Sequence, residues 1–339
     1  MTPPFDAIAR LIADYRYFLI VSHVSPDGDA LGSALGLSLA LNNAGKESAV
    51  VSREQLPMAC RFLRYWDAPL QEAPIWGEYV LFILDCDGAP KRISAPYSLV
   101  ENATATILID HHRTAEPKFD VNWIDSDKPA TALMIFQLLQ HLGMPLDKDI
   151  SECLACGLST DTGHFRYSNT TPESLRAMAS MIESGVDNAL ISFKLFEERS
   201  LDSVRLTGLA LSRMHYENGG ELMWTALSRD DYAELGIGET SSEGLVNQLR
   251  NIRGTRMAIV FREHLEENGV ITTRVSVRSQ ASLRADLFCA QFGGGGHAAA
   301  AGCRLDDRTF DSSVRKIVDA AKVWVSGGAV KAVAALAAG

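Results

Sequence analysis

The chain has 339 residues, of which 47% are hydrophobic and 22% charged, and its formal net charge is −10. The length favours two domains, and the acidic balance argues against a protein that holds long duplex nucleic acid through a basic face. We find no secretory signal, no apolar run close to the ~20 residues that span a bilayer and no disulfide spacing among the six cysteines, so we expect a cytoplasmic protein without a membrane partner.

Over the first half of the chain, continuous apolar runs alternate with helical patterns. The apolar runs predict strands over residues 15–23, 48–52, 79–88 and 104–112. Helices are predicted over residues 29–45, 130–141, 150–158 and 173–185. Continuous apolar strands separated by helices are typical of a parallel sheet that is covered on both faces. We therefore predict an N-terminal α/β domain.

The second half of the chain has a different pattern. After helical stretches at residues 189–198 and 201–214, mixed strands are predicted over residues 221–228, 255–264 and 269–279, with a helix at residues 284–292. This pattern predicts a second, smaller α/β domain and a cleft between the two domains. The predicted parts are a parallel-sheet domain over residues 1–187, a helical linker over 188–214, the second domain over 215–325 and an alanine-rich tail over 326–339.

Cys153 and Cys156 form a CxxC pair within one of the predicted helices. Their i,i+3 spacing places two small apolar side chains on one helix face. A zinc site of this type needs a second CxxC, and a thioredoxin-like motif needs an adjacent βαβ start, and the sequence has neither. We therefore interpret the pair as packing residues.

Residues able to bind metal ions accompany three of the predicted strands. They are His23, Asp27 and Asp29 after the first strand, Asp85 in the third, and Asp110, His111 and His112 at the end of the fourth. The carboxyl ends of parallel strands lie at one edge of a sheet, where ligands bind, so we expect these side chains to converge. Asp161 follows a helix and is expected to reach the same edge from a loop. Taken singly, a strand-end aspartate is more simply a helix cap, and a histidine pair a surface feature.

Asp27 and Asp29 stand two residues apart, which in extended backbone places both side chains on one side, with about 6–7 Å between Cα atoms. This spacing suits one carboxylate on each of two metal ions about 3.5–4 Å apart, and Gly28 would let the backbone turn between them. Four carboxylates in one crevice also need cations if they are to stay ionised. Oxygen ligands with a minority of imidazoles favour manganese or magnesium over zinc, and also admit iron.

Several segments of the chain resemble the DHH phosphoesterase superfamily. The segments SHVSPDGDALGS, LDCDG, DHH and GLSTDTGHFRYSNTTP occur in the order of the motifs of that superfamily. The later VSVRS and FGGGGHAAAAG resemble its DHH-associated C-terminal domain. The resemblance covers about residues 8–305 and is greatest to the NrnA-type branch. Members of that branch degrade short RNA oligonucleotides (nanoRNA) and often dephosphorylate 3′-phosphoadenosine-5′-phosphate (pAp).

The resemblance implies a role for each member of the acidic and histidine set. One metal ion would be held by His23, Asp27 and Asp85, and a second by Asp29, Asp85, His111 and Asp161, with Asp85 bridging the two. His112 would face the scissile phosphate as a hydrogen-bond donor or general acid. Asp110 would orient a histidine, as metal-bound imidazoles commonly require. In one departure, Leu133 and Met134 stand where many relatives carry an acidic residue, which alters packing but removes no ligand.

We interpret the glycine run of the second domain as part of a substrate clamp rather than a flexible linker. Glycines let backbone N–H groups approach a phosphate closely, and the histidine after the run adds a donor. The predicted clamp consists of Arg278, Ser279, Gly293, Gly294, Gly295, Gly296 and His297. Arg113, which follows the histidine pair, would either contact phosphate or be an ordinary solvated arginine.

The residues and the resemblance together predict a phosphoesterase with two divalent metal ions, Mn²⁺ or Mg²⁺. It would hydrolyse nanoRNA to mononucleotides and dephosphorylate pAp, with short single-stranded RNA and nucleotides as its partners. The alternative is a phosphodiesterase for cyclic or linear dinucleotides such as c-di-AMP, pApA or pGpG. Relatives of this kind are often dimers, so a homodimer stays open.

Four other functions are weaker interpretations of the sequence. Pyrophosphatases of the superfamily lack a domain of the GGGGH type, and RecJ-like exonucleases are longer and act on long strands. A non-catalytic nucleotide-binding regulator would be expected to lack a metal ligand, and none is missing here. A dinucleotide-binding dehydrogenase is excluded by GDALGSALG, whose glycines are not spaced as GxGxxG.

Overall fold

The computed structural model describes residues 3–112, 115, 118–238, 244–266, 269–307 and 309–328, and for His297 the backbone alone. The chain divides into two compact units, Met1–Glu198 and Arg199–Gly339. No described helix combines the length and the apolar character needed to cross a bilayer.

The first unit is built on a five-stranded sheet in the order β2-β1-β3-β4-β5, in which every neighbouring pair is parallel. Its strands are β1 Tyr17–Val21, β2 Glu47–Val50, β3 Val80–Leu84, β4 Ala105–Asp110 and β5 Val121–Ile124. The predicted parallel-sheet class is confirmed. β5 was not predicted, because Asn122 interrupts the apolar pattern of this short edge strand.

Helices cover the sheet of the first unit. They are α1 Phe5–Asp14, α2 Gly28–Asn43, α3 Ser98–Glu101, α4 Thr131–His141, α5 Lys148–Thr162, α6 Pro172–Glu183 and α7 Asn188–Ser192. Alternate strand residues face two cores. Phe18 and Phe82 pack with α1, α2 and α4 to α6, whereas Leu19 and Leu81 pack on the opposite face with residues around α3. Burial on both faces explains why the strands read as continuous apolar runs.

The second unit has a mixed six-stranded sheet in the order β10-β11-β9-β8-β7-β6, in which β7 and β8 are parallel and the other pairs antiparallel. Its strands are β6 His215–Glu217, β7 Leu222–Leu227, β8 Met257–Leu265, β9 Ile271–Ser279, β10 Gly295–His297 and β11 Ala300–Leu305. Its helices are α8 Leu201–Ser212, α9 Arg229–Leu235, α10 Leu245–Arg250, α11 Ala285–Ala290 and α12 Phe310–Val323. A second α/β domain was predicted, and this is confirmed.

Three glycines of α2, spaced four apart, lie along the line where α2 crosses α5. A Cβ on Gly28 would overlap the side chain of Thr160, one on Gly32 would overlap the carbonyl oxygen of Cys153, and one on Gly36 would come within 2.8 Å of Leu154. The glycines therefore permit close packing of two helices. The interpretation of Gly28 as a turn residue was wrong, since it begins α2 and its φ is not positive.

All six cysteines lie within the described residues and are free thiols. Cys153 and Cys156 are buried in α5, and the Cys156 Sγ lies 3.6 Å from the Cys60 Sγ. The packing interpretation of the CxxC pair is confirmed.

Candidate metal centre

Side chains from five segments of the first unit meet at the carboxyl edge of its sheet. They are His23 after β1, Asp27 and Asp29 at the start of α2, Asp85 after β3, Asp110, His111 and His112 at the end of β4, and Asp161 in the last turn of α5. Three groups of these residues place one ligand atom each within 4.8 Å of the others, so that each group could hold a metal ion. The groups are His23–Asp27–Asp85, Asp29–His111–Asp161 and Asp85–His111–His112.

Asp85 lies between two of the three histidines of the centre, His23 and His111. Its Oδ2 is 3.4 Å from the His23 Nε2, and its Oδ1 is 3.3 Å from the His111 Nε2. The residue is 2% exposed and has φ of 54°, in the left-handed region that is costly for residues other than glycine. Such outliers persist where the surrounding structure holds them in place, and they cluster at functional sites.

His23 and His111 each point the ring nitrogen Nε2 at the carboxylates of the centre, and each bonds its other ring nitrogen, Nδ1, to a backbone carbonyl. The His23 Nδ1 lies 2.8 Å from the Val24 carbonyl oxygen, and the His111 Nδ1 lies 3.3 Å from the Lys128 carbonyl oxygen. A carbonyl only accepts, so Nδ1 carries the hydrogen and donates it. Donation to a carbonyl leaves Nε2 for a metal ion, which is the usual arrangement of metal-binding histidines.

Asp27 itself has extended backbone, but Asp29 lies in the first turn of α2, so the prediction that one extended segment carries both residues was wrong. Asp27 is the N-cap of α2, where its Oδ1 accepts hydrogen bonds from the backbone N–H groups of Asp29 and Ala30, at 2.9 and 3.1 Å. Its Oδ1 also lies 4.0 Å from the His23 Nε2. The Asp27 carboxylate therefore caps α2 and faces the other side chains of the centre at the same time.

Asp29 caps a second helix from across the fold. Its Oδ2 accepts from the Thr131 N–H at 2.7 Å, and its Oδ1 accepts from the Ala132 N–H at 2.8 Å and from the Ser33 hydroxyl at 3.1 Å. The N-cap position of α4 is Ala130, whose methyl group cannot accept a hydrogen bond. Asp29, which is fully buried, takes over that role and ties α2 to α4.

Thr131 is a residue of the centre that the sequence analysis did not single out. Its hydroxyl donates to the Asp85 Oδ1 at 3.0 Å while its N–H donates to Asp29. One residue thus orients two of the buried carboxylates. The sequence feature that could have identified Thr131 is its position at the start of the helix predicted from residue 130. Leu133 and Met134, one turn further on, are fully buried in the core.

Asp161 was predicted in a loop and lies instead within α5, which continues to Thr162. The prediction stopped the helix at residue 158 because the sequence becomes polar there. Those polar residues bond back to the helix, with the Thr160 and Thr162 hydroxyls donating to the carbonyl oxygens of Cys156 and Leu158. The Asp161 Oδ2 lies 3.2 Å from the His111 Nε2.

Asp110 holds His112 through two hydrogen bonds. Its Oδ1 lies 2.7 Å from the His112 Nδ1 and 3.2 Å from the His112 backbone N. Asp110 is fully buried and as a carboxylate it only accepts, so Nδ1 carries the hydrogen. Nε2 is then the ring nitrogen that can exchange a proton with a bound molecule.

The carboxylates of the centre favour the protonated form of its histidines. Burial lowers the pKa of His111, but the hydrogen bonds and charges of Asp161 and Asp85 outweigh it and raise the pKa to about 12. Burial likewise lowers the pKa of His23, and Asp85 raises it to about 9. Burial and the charges of Asp85 and Asp161 raise the pKa of Asp29 well above its ordinary value. A cluster of buried carboxylates that must hold protons on its histidines is suited to divalent cations, which would replace those protons.

The predicted clamp residues lie in the second unit. Arg278 is on β9, where its Nη1 donates to the Val277 carbonyl oxygen at 3.1 Å, and Ser279 ends the same strand. Gly295–His297 is the edge strand β10, for which no strand was predicted, and it pairs with β11. A Cβ on Gly294 or Gly296 would overlap the β11 backbone, so these glycines have a packing role. The side chain of His297 and the whole of Arg113 lie outside the described residues.

Comparisons with known proteins cover both units. Residues 17–158 match the DHH family, N-terminal domain, and residues 231–327 match the DHHA1 domain. The chain is 34% identical over 310 residues to the bifunctional oligoribonuclease and PAP phosphatase NrnA of Thermus thermophilus, covering 89% of this chain and 88% of that protein. It is 27% identical over 317 residues to the protein of the same name from Bacillus subtilis, covering 92% and 96%. The crystal structure of an exopolyphosphatase-related protein from Bacteroides fragilis has a similar fold, with a TM-score of 0.84, 24% identity and 97% of each chain covered.

Proposed function

The chain belongs to the DHH family, and from this premise we propose that it is a phosphoesterase that uses two divalent metal ions, Mn²⁺ by preference. Its proposed substrates are RNA oligonucleotides of a few residues and pAp, by analogy with the similar proteins from Thermus and Bacillus. The observation that carries the proposal is the position of Asp85, which has one carboxylate oxygen beside each of two histidines. A carboxylate in that position is suited to bridge two cations.

The donor set fits this pair of ions. His23, Asp27 and Asp85 would hold one ion, and Asp29, Asp85, His111 and Asp161 the other. Oxygen donors outnumber nitrogen donors, which favours Mn²⁺ or Mg²⁺. When bound, the ions supply an activated water and stabilise the charge that develops on the phosphate oxygens.

The residues of the chain position the reaction and move a proton. Thr131 holds Asp29 and Asp85 through its N–H and hydroxyl, so the two carboxylates stay in place when a substrate enters. Asp110 orients His112 and raises its pKa against the lowering effect of burial. A protonated His112 would then donate a hydrogen bond to the scissile phosphate or a proton to the leaving oxygen.

We extend the proposal to the second unit as the part that grips the substrate. Arg278, Ser279, Gly293 to Gly296 and His297 all lie in the segment that matches the DHHA1 domain. An acidic protein can hold a short anionic substrate through such a local group of donors, whereas a long duplex would need a larger basic face.

The test is a panel of substrates with metal-free protein, with and without added Mn²⁺ or Mg²⁺. We expect Mn²⁺-dependent release of mononucleotides from RNA of two to five residues and of phosphate from pAp. Asp85→Asn should abolish both activities, and Asp149→Asn, on the surface of α5, should leave them unchanged. Activity in the presence of chelator would refute the proposal, and preferential hydrolysis of c-di-AMP, pApA or pGpG would favour the dinucleotide alternative.

A further inference from the structure

The chain makes an unusual left-handed turn two residues after Asp161. Gly163, His164 and Phe165 have φ of 57°, 54° and 63°. Residues other than glycine visit this region rarely and usually singly, so two of them in succession need support from the surrounding structure. Strained backbone clusters at functional sites, and this turn lies next to the candidate metal centre.

Hydrogen bonds hold the turn on the end of α5. The His164 N–H donates to the Ser159 carbonyl oxygen at 2.7 Å, and the Phe165 N–H donates to the Thr162 hydroxyl at 3.1 Å. Arg166 closes the turn, since its Nε donates to the Gly163 carbonyl oxygen at 2.6 Å and its guanidinium lies 4.9 Å from the centre of the Phe196 ring. Arg166 therefore holds the turn in its conformation.

The turn presents the ring of Tyr167. A Cβ on Gly163 would lie within 2.6 Å of three ring carbons of Tyr167, Cε1, Cζ and Cε2. Near-equal distances to these three atoms mean that the flat side of the ring lies against the Gly163 backbone. Tyr167 is nevertheless 40% exposed. An aromatic ring that is fixed on one side and open to solvent is the arrangement on which bases of single-stranded nucleic acids stack.

The loop that carries Tyr167 is tied to the candidate metal centre. The Asn169 Nδ2 donates to the Asp161 carbonyl oxygen at 3.1 Å and to the Pro129 carbonyl oxygen at 3.3 Å. The Asp161 side chain is 21% exposed and lies 3.2 Å from the His111 Nε2. The Tyr167 ring lies against Gly163, two residues after Asp161, and its loop is bonded to the Asp161 backbone, so the ring is adjacent to the α5 end of the candidate centre.

We propose that Tyr167 is a stacking platform for a nucleobase of the substrate, a base-binding site within the first unit. The proposal rests on the proposed function, since it needs a nucleotide whose phosphate occupies the metal centre. Stacking accepts any base, because every base has an aromatic face. The site would thus favour nucleotides over other phosphate esters without selecting a particular sequence.

The test compares two bisphosphates that differ only in the base, pAp and its abasic 1-deoxyribose 3′,5′-bisphosphate analogue. For Tyr167→Ala we expect KM for pAp to rise about 10- to 100-fold with kcat little changed, and both constants for the abasic analogue to stay at their wild-type values. Tyr167→Phe, which keeps the ring, should resemble wild type. Tyr216→Ala removes a tyrosine that is 70% exposed on β6 in the second unit and serves as the matched control.

Two results would overturn the platform while leaving the phosphoesterase proposal intact. One is an unchanged KM for pAp in Tyr167→Ala. The other is an equal loss of kcat/KM on pAp and on the abasic analogue, which would mean that the ring only supports the turn. Failure of wild-type protein to hydrolyse either compound with Mn²⁺ present would instead refute the pAp phosphatase part of the proposed function.

Discussion

Gly157→Ala tests the idea that close helix packing positions the candidate centre. Gly157 lies on α5 opposite the start of α2, and a Cβ there would lie 2.8 Å from the Ala132 Cβ and from the Asp29 Oδ1. Carbon atoms in contact are normally about 3.5 Å apart or more, so α4 or α2 would have to move by roughly 0.7 Å. The move would displace Asp29, which caps α4 and faces His111.

The expected effect on activity is larger than the effect on stability. Overpacking costs about 1–3 kcal/mol, and the better helix propensity of alanine returns about 1 kcal/mol, so the net destabilisation should be roughly 0–2 kcal/mol. A displacement approaching 1 Å at a reacting site can cost on the order of 100-fold in rate. We therefore expect kcat/KM with Mn²⁺ to fall about 10- to 100-fold.

Gly208→Ala is the matched control for this substitution. Gly208 is exposed within α8, and a Cβ there would meet no described atom within 4 Å. This variant should gain about 0.5–1 kcal/mol of stability and keep full activity. Chemical denaturation and steady-state kinetics of both variants measure the two effects separately. Activity of Gly157→Ala within twofold of wild type would refute the reasoning.

Three further predictions concern the groups around the buried carboxylates. Thr131→Val removes the hydroxyl that bonds Asp85 and should weaken Mn²⁺ binding, measured by calorimetry, by about tenfold. Thr131→Ser keeps a hydroxyl and should bind Mn²⁺ as wild type does. Equal Mn²⁺ binding by wild type and both variants would contradict the role of Thr131 in orienting Asp85. Burial lowers and Asp85 raises the pKa of His23 to about 9, so its contribution to the stability of metal-free protein is full below pH 6.5 and is lost as the pH rises through 9. Between pH 7 and 10 the Tm of metal-free protein should therefore fall and its affinity for Mn²⁺ should rise. A Tm that stays constant over that range would contradict this role of His23. Asp110→Asn removes the charge that raises the pKa of His112, so the alkaline limb of the pH–rate profile should move to lower pH; an unmoved limb would mean that His112 carries no catalytic proton.

Much of the first unit could be predicted because its signals are local. Four apolar runs were recognised as strands. Three of them, β1, β3 and β4, are buried on both faces and are therefore almost continuously hydrophobic, whereas β2 is half-buried. The helix at Pro172 was recognised from the capping residue Thr171 and its proline. The polar residues at the ends of these strands could be grouped without coordinates, because parallel strands deliver their carboxyl ends to one edge.

The wrong or missing predictions concern residues whose secondary structure is determined by neighbours distant in the sequence. No strand was predicted at Gly295–His297, because the hydrogen bonds of β10 come from its pairing partner β11, which no local pattern reveals. Asp161 was placed in a loop because threonines and an aspartate are poor helix formers in isolation. Packing against α2 outweighs that weak preference and continues α5 to Thr162.

By itself, the sequence determined four of the five strands of the first sheet and the set of acidic and histidine side chains at its edge, because hydrophobic periodicity and strand-end polarity are properties of contiguous residues. Tertiary structure alone decided how those side chains are held. The bonds from Thr131 to Asp29 and Asp85, and the contact of the Tyr167 ring with Gly163, depend on where separate helices and turns come to rest. Such contacts follow from the packing of the whole core, which no short window of sequence contains.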